Sequence, residues 1–490
     1  MNFELKYMLM KKRTLLLGFA ALTISAASFA GTPDKMQVWL KDGEPKIFDI
    51  DQVDSVTFGT YKNPEITPLT ENFMPPKFAQ PIPLVVNEQE QAFVRANNEF
   101  AQKCYQIVRK LPKKQMTDGE AQPRPVHFFS PVSLNFALGF CANGATEEGA
   151  KEITDALGFR TENALEDMNN FYQKLYCSLN SNVDSVDIHT ANALWADNKN
   201  NVLENFLETA RDKYYATVRH LNFREDPDGS KDTINKWAAL MTNDCIKNIS
   251  VDIDTWTRLV LNNACYFNAK WKIPFEPYGK SLFYGSVGDP EETEFMEIKL
   301  QKLKCAETDN YDAVSLDYSS GEEIEWGDES PTTYSMIVVL PKEGHSLDEL
   351  LPTFQWDSIP FEYKACQIFM PKIKVKGGYN LNDTTPGLNV INSMGINNIY
   401  SSFPNAIEFY PGDNPYAVSN VIQDYFLRVD ELGTEAAAVT TVEVEETTGM
   451  YDPNFSMFCT HPFAFAIREN ATGLILFMGE YDFVPQEEGN

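Results

Sequence analysis

The alternation of apolar and polar positions divides the chain, whose first half reads mainly as helices and whose second half reads mainly as strands. Helices are expected near Glu88–Leu111, Pro131–Gly144, Glu147–Leu157, Ala164–Asn180, Asn201–Tyr215 and Ser230–Thr242, with strands at Ala191–Trp195 and Arg258–Asn268. Later strands are expected at Thr333–Leu340, Ala365–Val375, Val421–Asp430, Phe463–Ile467 and Gly473–Gly479, the last after a turn at residues 470–473. Helices first and strands later point to a mixed α+β domain. Acidic runs at Asp289–Glu294 and Gly321–Glu329 read most simply as solvated loops.

One segment has the pattern of a strand left outside its sheet. In Glu431–Thr448, ELGTEAAAVTTVEVEETT, one face holds Thr434, Ala436, Ala438, Thr440, Val442 and Val444, all small or apolar. The other holds Glu435, Ala437, Val439, Thr441, Glu443 and Glu445. Such alternation marks a strand with one buried and one solvated face. The small residues at its start would let it slide between neighbours that are already packed. Taken alone, the segment also reads as an ordinary edge strand or an exposed linker between Gly433 and Gly449.

The N-terminus is different in kind. Lys11, Lys12 and Arg13 precede an apolar run from Leu15 to Ile24, which ends in Ser28-Phe29-Ala30. This is the pattern of a secretory signal peptide over residues 1–30. No cysteine follows the cleavage site, so a lipid anchor is not expected, and a secreted or periplasmic protein is. Asp42-Gly43 between two alternating runs signals a hairpin within residues 31–60. Prolines at 64, 68, 75, 76, 81 and 83 make residues 61–86 an extended linker, and residues 87–490 read as one globular unit.

Composition narrows the partners. Hydrophobic residues make up 43% of the chain, enough for a large core. Net charge is −29, and loss of residues 1–30 removes four positive charges and one negative, taking it to −32. Nucleic acid, heparin-like polyanions and anionic membranes are therefore not expected as partners. Eight cysteines are widely spread without a C-x-x-C; Cys141 and Cys265 sit in apolar runs and read as buried thiols, and pairing stays open.

Catalytic chemistry is hard to find. The chain has no G-x-S-x-G, H-E-x-x-H, G-x-x-x-x-G-K or G-x-G-x-x-G, and its five histidines lack metal-ligand spacing. No enzyme, cofactor or metal is expected.

Five segments, in order, resemble the serpin family and together span nearly all of residues 87–490. They are HFFSPVSLNFALGFCANGATEEGAKEITDALGF (127–159), NNACYFNAKWKIPF (262–275), FMPKIKVKGGYNL (369–381), DELGTEAAAVTT (430–441) and HPFAFAIRENATGLILFMGEYDF (461–483). The resemblance implies a serpin fold: a large mixed β-sheet, two smaller sheets, about eight or nine helices and an exposed reactive-centre loop over about 431–456. It implies that Ser130 and Ser133 lie at the shutter beneath the central strands with Asn263 opposite, and that Trp271 lies at the breach. Lys372 and Glu431 would pair at the base of the loop. Gly433, Thr434, Glu435, Ala436, Ala437, Ala438, Val439 and Thr440 would form the hinge. Where most members have a shutter histidine this chain has Gln423, which still donates and accepts but does not titrate. Standing alone, Ser130 and Asn263 also read as ordinary buried polar groups, and Lys372–Glu431 as a surface bridge of little value.

Serpins act as suicide substrates, so the resemblance implies an irreversible protease inhibitor, expected as a monomer. Counting the scissile residue seventeenth from Glu431 gives the bond Thr447–Thr448; a one-residue offset gives Glu446 or Thr448, and Met450 and Tyr451 stay open. No arginine or lysine lies in Thr434–Tyr451, which favours elastase-like or subtilisin-like serine proteases over trypsin-like ones. A papain-like cysteine protease is a further target class. A non-inhibitory serpin acting as a binding or chaperone-like protein is the alternative.

Overall fold

The computed structural model describes residues 35–39, 45–49, 78, 82–111, 127–181, 186–198, 202–248, 253–255, 257, 259–286, 288–319, 333–381, 387–400, 403–407, 421–434 and 453–482. The chain divides into two compact units, Met1–Glu65 and Ile66–Asn490. The first holds an antiparallel hairpin of β1 (Lys35–Trp39) and β2 (Pro45–Asp49), with Lys35 opposite Asp49 and Trp39 opposite Pro45. Asp42-Gly43 lies between these strands, where the turn signal placed it.

The second unit begins with six substantial helices: α1 (Glu88–Val108), α2 (Pro131–Ala142), α3 (Glu147–Ala156), α4 (Ala164–Leu179), α5 (Glu204–Lys213) and α6 (Pro227–Met241). Two single-turn helices follow, α7 (Leu347–Leu350) and α8 (Val390–Ser393). Local chemistry sets the starts. Asn87 accepts the Glu90 N–H at 2.9 Å while the Glu90 carboxylate accepts the Asn87 N–H at 2.8 Å, a reciprocal cap on α1. Ser130 caps α2 and Pro131 occupies its first turn, where a missing N–H costs nothing. Every residue of α2 is buried, as expected for a helix that is apolar all round. Gly139 admits the neighbouring helix, since a Cβ there would come within 2.8 Å of the Tyr172 ring.

The strands form two sheets. One has six strands: β4 (Val186–Asp197), β5 (Thr217–Leu221), β6 (Leu259–Lys270), β12 (Ile373–Asn380), β13 (Val421–Asp430) and β14 (Gly433–Thr434), in the order β12-β13-β14-β6-β4-β5. The others are β3 (His127–Phe129), β7 (Glu276–Phe283), β8 (Glu291–Glu307), β9 (Tyr311–Asp317), β10 (Tyr334–Pro341), β11 (Glu362–Pro371), β15 (Phe455–Phe458), β16 (Phe463–Glu469) and β17 (Ile475–Tyr481). These run as one nine-stranded path, β15-β11-β8-β9-β10-β16-β17-β3, with β7 on β8. The strands expected as two smaller sheets are thus linked, because the seventeen-residue β8 pairs with β7 and β11 and, at its far end, with β9.

Two expectations need correction. Glu291–Glu294 are not a loop but the first residues of β8, with Phe283 opposite Glu291 and Lys280 opposite Glu294. Their polarity reflects a solvated strand face. The expected continuous strand Ala365–Val375 is two strands in different sheets, β11 and β12. Pro371 has no N–H to give the ladder, and the next N–H, that of Lys372, bonds to Glu294 O at 2.8 Å. The acidic run Gly321–Glu329 lies outside the described residues. Cys305 on β8 and Cys366 on β11 are joined as a disulfide, while Cys141 and Cys265 are buried thiols.

The six-stranded sheet is covered on both faces. Leu261, Cys265, Phe267 and Ala269 of β6 join the main core, whereas Val260 and Ala264 pack with Trp195 against Ile234 and Trp237 of α6. Trp195 and Trp237 meet edge to face at 5.9 Å. Truncating Trp237 to Ala leaves a large cavity, so we expect the native protein to lose about 3–5 kcal/mol of stability, read by urea unfolding.

Candidate functional site

The site grows from the place where β13 ends. Beyond Asp430 the chain turns back at Glu431 and Leu432, and Gly433–Thr434 enters the sheet between β13 and β6, antiparallel to both. Thr434 lies opposite Val429 on one side and Ala269 on the other. Glycine is required at 433 by close approach: a Cβ would collide with the Ala269 carbonyl oxygen and come within 2.8 Å of Lys270 Cα.

Trp271, the residue after β6, holds this turn. Its backbone N–H donates to Leu432 O at 2.9 Å and its indole Nε1–H to Asp430 O at 2.9 Å. Phe275 N–H donates to Glu431 O at 2.9 Å. The Trp271 ring stacks on Tyr318 at 4.5 Å, and the Tyr318 hydroxyl shares a 2.7 Å hydrogen bond with the Thr434 hydroxyl. Burial pushes the Tyr318 phenol well above its ordinary pKa, so it stays protonated. Thr434 is fully buried and faces the main core.

Lys372 sits where the chain passes from β11 to β12, and its Nζ reaches Glu431 at 2.9 Å and Glu294 at 2.8 Å. Burial works against the Lys372 charge, yet the hydrogen bonds it donates to Glu294 and Glu431 carry its pKa upward overall. The hydrogen bond from Lys372 holds the Glu294 carboxyl below its ordinary value of 4.5. The pair with Glu294 is therefore fully formed above pH 4.5 and is lost as pH falls below it. Glu294 carries no sequence signal of this role, because an acidic run with a solvated face reads as a loop.

At the other end of the sheet β13 and β6 bond directly and in parallel, with Val421, Ile422 and Gln423 opposite Leu261, Asn262 and Asn263. Between this contact and Gly433–Thr434, residues 424–428 and 264–268 share no ladder among the described residues. Among the described residues the two strands are thus joined at one end, wedged apart at the other, and not paired with each other over the five positions between.

The polar groups near the closed end form two separate couples. Ser130 N–H donates to Gln423 Oε1 at 2.9 Å, and Gln423 Nε2 donates to Ser130 O at 2.8 Å. The Ser130 hydroxyl donates to Leu476 O at 2.9 Å and accepts the Ser133 N–H at 3.3 Å. Asn263 does not join them; its Nδ2 donates to Asn192 Oδ1 on β4 at 2.8 Å. The shutter residues named from the sequence thus fall into two couples, Ser130–Gln423 and Asn263–Asn192. Asn192, directly opposite Asn263, carried no sequence signal of its role. Cys265, two residues on from Asn263, is a buried thiol pushed up to about 12 by burial, against a hydrogen bond from Ser130. Of the expected hinge, Gly433 and Thr434 are placed as above, while 435–440 and the bond 447–448 lie outside the described residues. Among the described residues no cluster of three or more His, Cys, Asp or Glu could hold a metal, and no helix is long and apolar enough to cross a membrane.

A six-stranded sheet with Gly433–Thr434 wedged between β13 and β6, a second large sheet and helices first in sequence define the class, and the comparisons agree. The family model "Serpin (serine protease inhibitor)" matches residues 95–482, and the chain belongs to the serpin family, whose members are typically protease inhibitors and not enzymes. Human Serpin B4 is 28% identical over 411 residues, covering 79% of this chain and 98% of its own. A serpin-like protein of Methanosarcina acetivorans is 28% identical over 409 residues, covering 80% and 88%. The native state of tengpin, a thermophilic serpin, superposes with a TM-score of 0.67 at 25% identity, covering 83% of this chain and 97% of its own. Human thyroxine-binding globulin in complex with thyroxine gives a TM-score of 0.66 at 25% identity, covering 80% and 98%.

Gln423 bonds Ser130 in both directions, and no protonation event breaks either bond. The rate of sheet opening in the wild type should be flat between about pH 6 and 8. In Gln423→His, protonation below about pH 6.5 removes the acceptor for Ser130 N–H, so opening should accelerate as pH falls. Stopped-flow tryptophan fluorescence after loop cleavage measures both profiles.

Proposed function

We propose that this protein is a secreted or periplasmic, irreversible inhibitor of endopeptidases that works by cleavage-triggered insertion of its own loop. The observation that carries this reading is the half-open sheet: Gly433–Thr434 already occupy the first two positions of a missing strand. A protease that attacks the loop forms an acyl-enzyme, and the freed segment then continues into the sheet behind Thr434, carrying the protease with it. This is strand addition within one molecule.

Register and energy support the step. Each residue after Thr434 moves one position back along both β13 and β6, so Glu435 to Val439 would fill the five open positions without displacing any existing pair. Thr440 to Val442 would displace the contact of Val421–Gln423 with Leu261–Asn263. That contact is the barrier that keeps the uncut molecule as it is. About a dozen new backbone hydrogen bonds at about 0.5–1.5 kcal/mol each supply on the order of 6–18 kcal/mol. Slowing deacylation a millionfold takes only about 8 kcal/mol. The inward residues from Thr434 to Val444 are small or β-branched and uncharged, so nothing in them resists burial.

The target we infer is an elastase-like or subtilisin-like serine protease, with a papain-like cysteine protease as a further class, cleaving at Thr447–Thr448. Glu443, Glu445 and Glu446 favour a basic protease surface. Export rests on the signal-peptide pattern of residues 1–30. The likeness to a thyroxine-binding serpin supports a second reading, a non-inhibitory binding or chaperone-like role.

Two experiments decide. In the inserted register Ala436 faces Leu427 and Phe267, both buried, so Ala436→Arg should turn the inhibitor into a substrate that is cleaved and released. Undiminished covalent complex with elastase on a denaturing gel refutes this, and a wild type that forms no complex with any protease of a broad panel favours the non-inhibitory reading. Mass spectrometry of the peptide released by elastase should begin at Thr448; cleavage confined to the bond after Tyr451 refutes the count.

A further inference from the structure

Lys372 is the one residue between β11 and β12, and it serves both large sheets at once. Its backbone N–H donates to Glu294 O at 2.8 Å, and its Nζ donates to the Glu294 carboxylate at 2.8 Å. β8 therefore grips this lysine by main chain and side chain together. The same Nζ reaches Glu431 at 2.9 Å. An ammonium has three donors, so it serves both carboxylates without rivalry. The Glu431 side chain is 16% exposed, that of Lys372 31% and that of Glu294 59%, so the three run from the interior to solvent in that order.

One cation between two anions acts in two ways. The four-carbon stem of lysine is flexible, and holding it to Glu431 alone costs rotamer entropy. The double grip from Glu294 fixes the stem beforehand. The two carboxylates also touch the same nitrogen, so they lie within a few ångströms of each other, where like charges repel. Lys372 cancels that repulsion. Its loss removes two attractions and uncovers one repulsion, whereas loss of the Glu431 charge removes one attraction only.

We propose that Glu294 is a positioning residue for the base of the loop: it aims Lys372 Nζ at Glu431 and, as the second carboxylate, makes the hold on Glu431 depend on that single positive charge. Glu431 leads into Gly433–Thr434, and its carbonyl oxygen accepts the Phe275 N–H, so what holds Glu431 holds the wedge. The bearing on inhibition rests on the insertion reading above; the three-membered clamp does not. Neighbouring charges replace none of the three. Lys372 first, and Lys280 of β7 to a lesser degree, keep Glu294 ionised, while Lys280 also lies 3.9 Å from Glu292. Arg428 on β13 pairs with Asp430 at 3.0 Å.

The test uses the full-length protein and its rate of unfolding in urea, followed by circular dichroism. At pH 7 Glu294→Gln should unfold about two- to fivefold faster than the wild type. The difference should close as pH falls below 4.5, because the wild-type carboxylate then takes up a proton. Lys372→Met should unfold faster than Glu431→Gln, and adding Glu294→Gln to Lys372→Met should slow unfolding again. In about 1 M salt Lys372→Met should gain on the wild type, since screening weakens repulsion in the one and attraction in the other. Equal rates for Lys372→Met and Glu431→Gln, with no effect of Glu294→Gln on Lys372→Met, overturn the proposal. With elastase, Lys372→Met should trap less protease than the wild type, and the added Glu294→Gln should restore trapping. A wild type that traps no protease, while the unfolding rates keep the stated order, overturns the inhibitor reading and leaves the clamp standing.

Discussion

A two-residue strand, Gly433–Thr434, decides the state of the large sheet. By pairing with both β13 and β6 it holds those strands a full strand's width apart at one end. They still bond directly through three residues at the other. The geometry around the wedge serves this separation. Gly433 admits the β6 backbone, the Thr434 hydroxyl locks onto Tyr318, and Tyr318 is pressed against Trp271, which in turn fixes Asp430 and Leu432. Lys372 then clamps Glu431 from the neighbouring crossover. Among the described residues the result is a sheet whose strands β13 and β6 pair with each other at one end only and are separated by the wedge at the other.

The closed end shows what ties β13 to the rest of the core. Gln423 and Ser130 exchange two hydrogen bonds between β13 and the start of α2, and Ser130 also ties α2 to β17 through Leu476. Parting β13 from β6 therefore disturbs a buried helix, not merely a pair of strands. Glutamine meets the same donor and acceptor that a neutral histidine would, and it adds no charge change near neutral pH. The asparagine couple on β6 and β4 is independent of this tie, and no side-chain hydrogen bond joins Gln423 to Asn263, so only the backbone ladder connects the two halves of the closed end.

Likeness of fold does not settle use. The same architecture serves a globulin solved with thyroxine and a thermophilic serpin solved in its native state, both at TM-scores above 0.6. What separates roles within one architecture is carried by particular residues. In this chain those residues are the small, uncharged, alternating positions that follow Thr434 and the face of β6 and β13 they would meet.

Much of this was legible in the chain itself. The six long helices begin and end within a few residues of where apolar spacing and capping residues put them, because those signals act locally. The two strands paired on either side of Asp42-Gly43 were equally plain. The exposed acidic start of β8 was not, since a strand whose polar face is solvated reads as a loop until its partner β7 is known. Nor could the crossing at Lys372, the second carboxylate on that lysine or the partnership of Asn263 with Asn192 be read from spacing, because each joins residues far apart in the chain. The sequence by itself determined which segment is able to become a strand, since that depends only on alternation and side-chain size. Only the tertiary structure decided that Gly433–Thr434 enters between β13 and β6, because register and pairing are fixed by neighbours the chain does not place side by side.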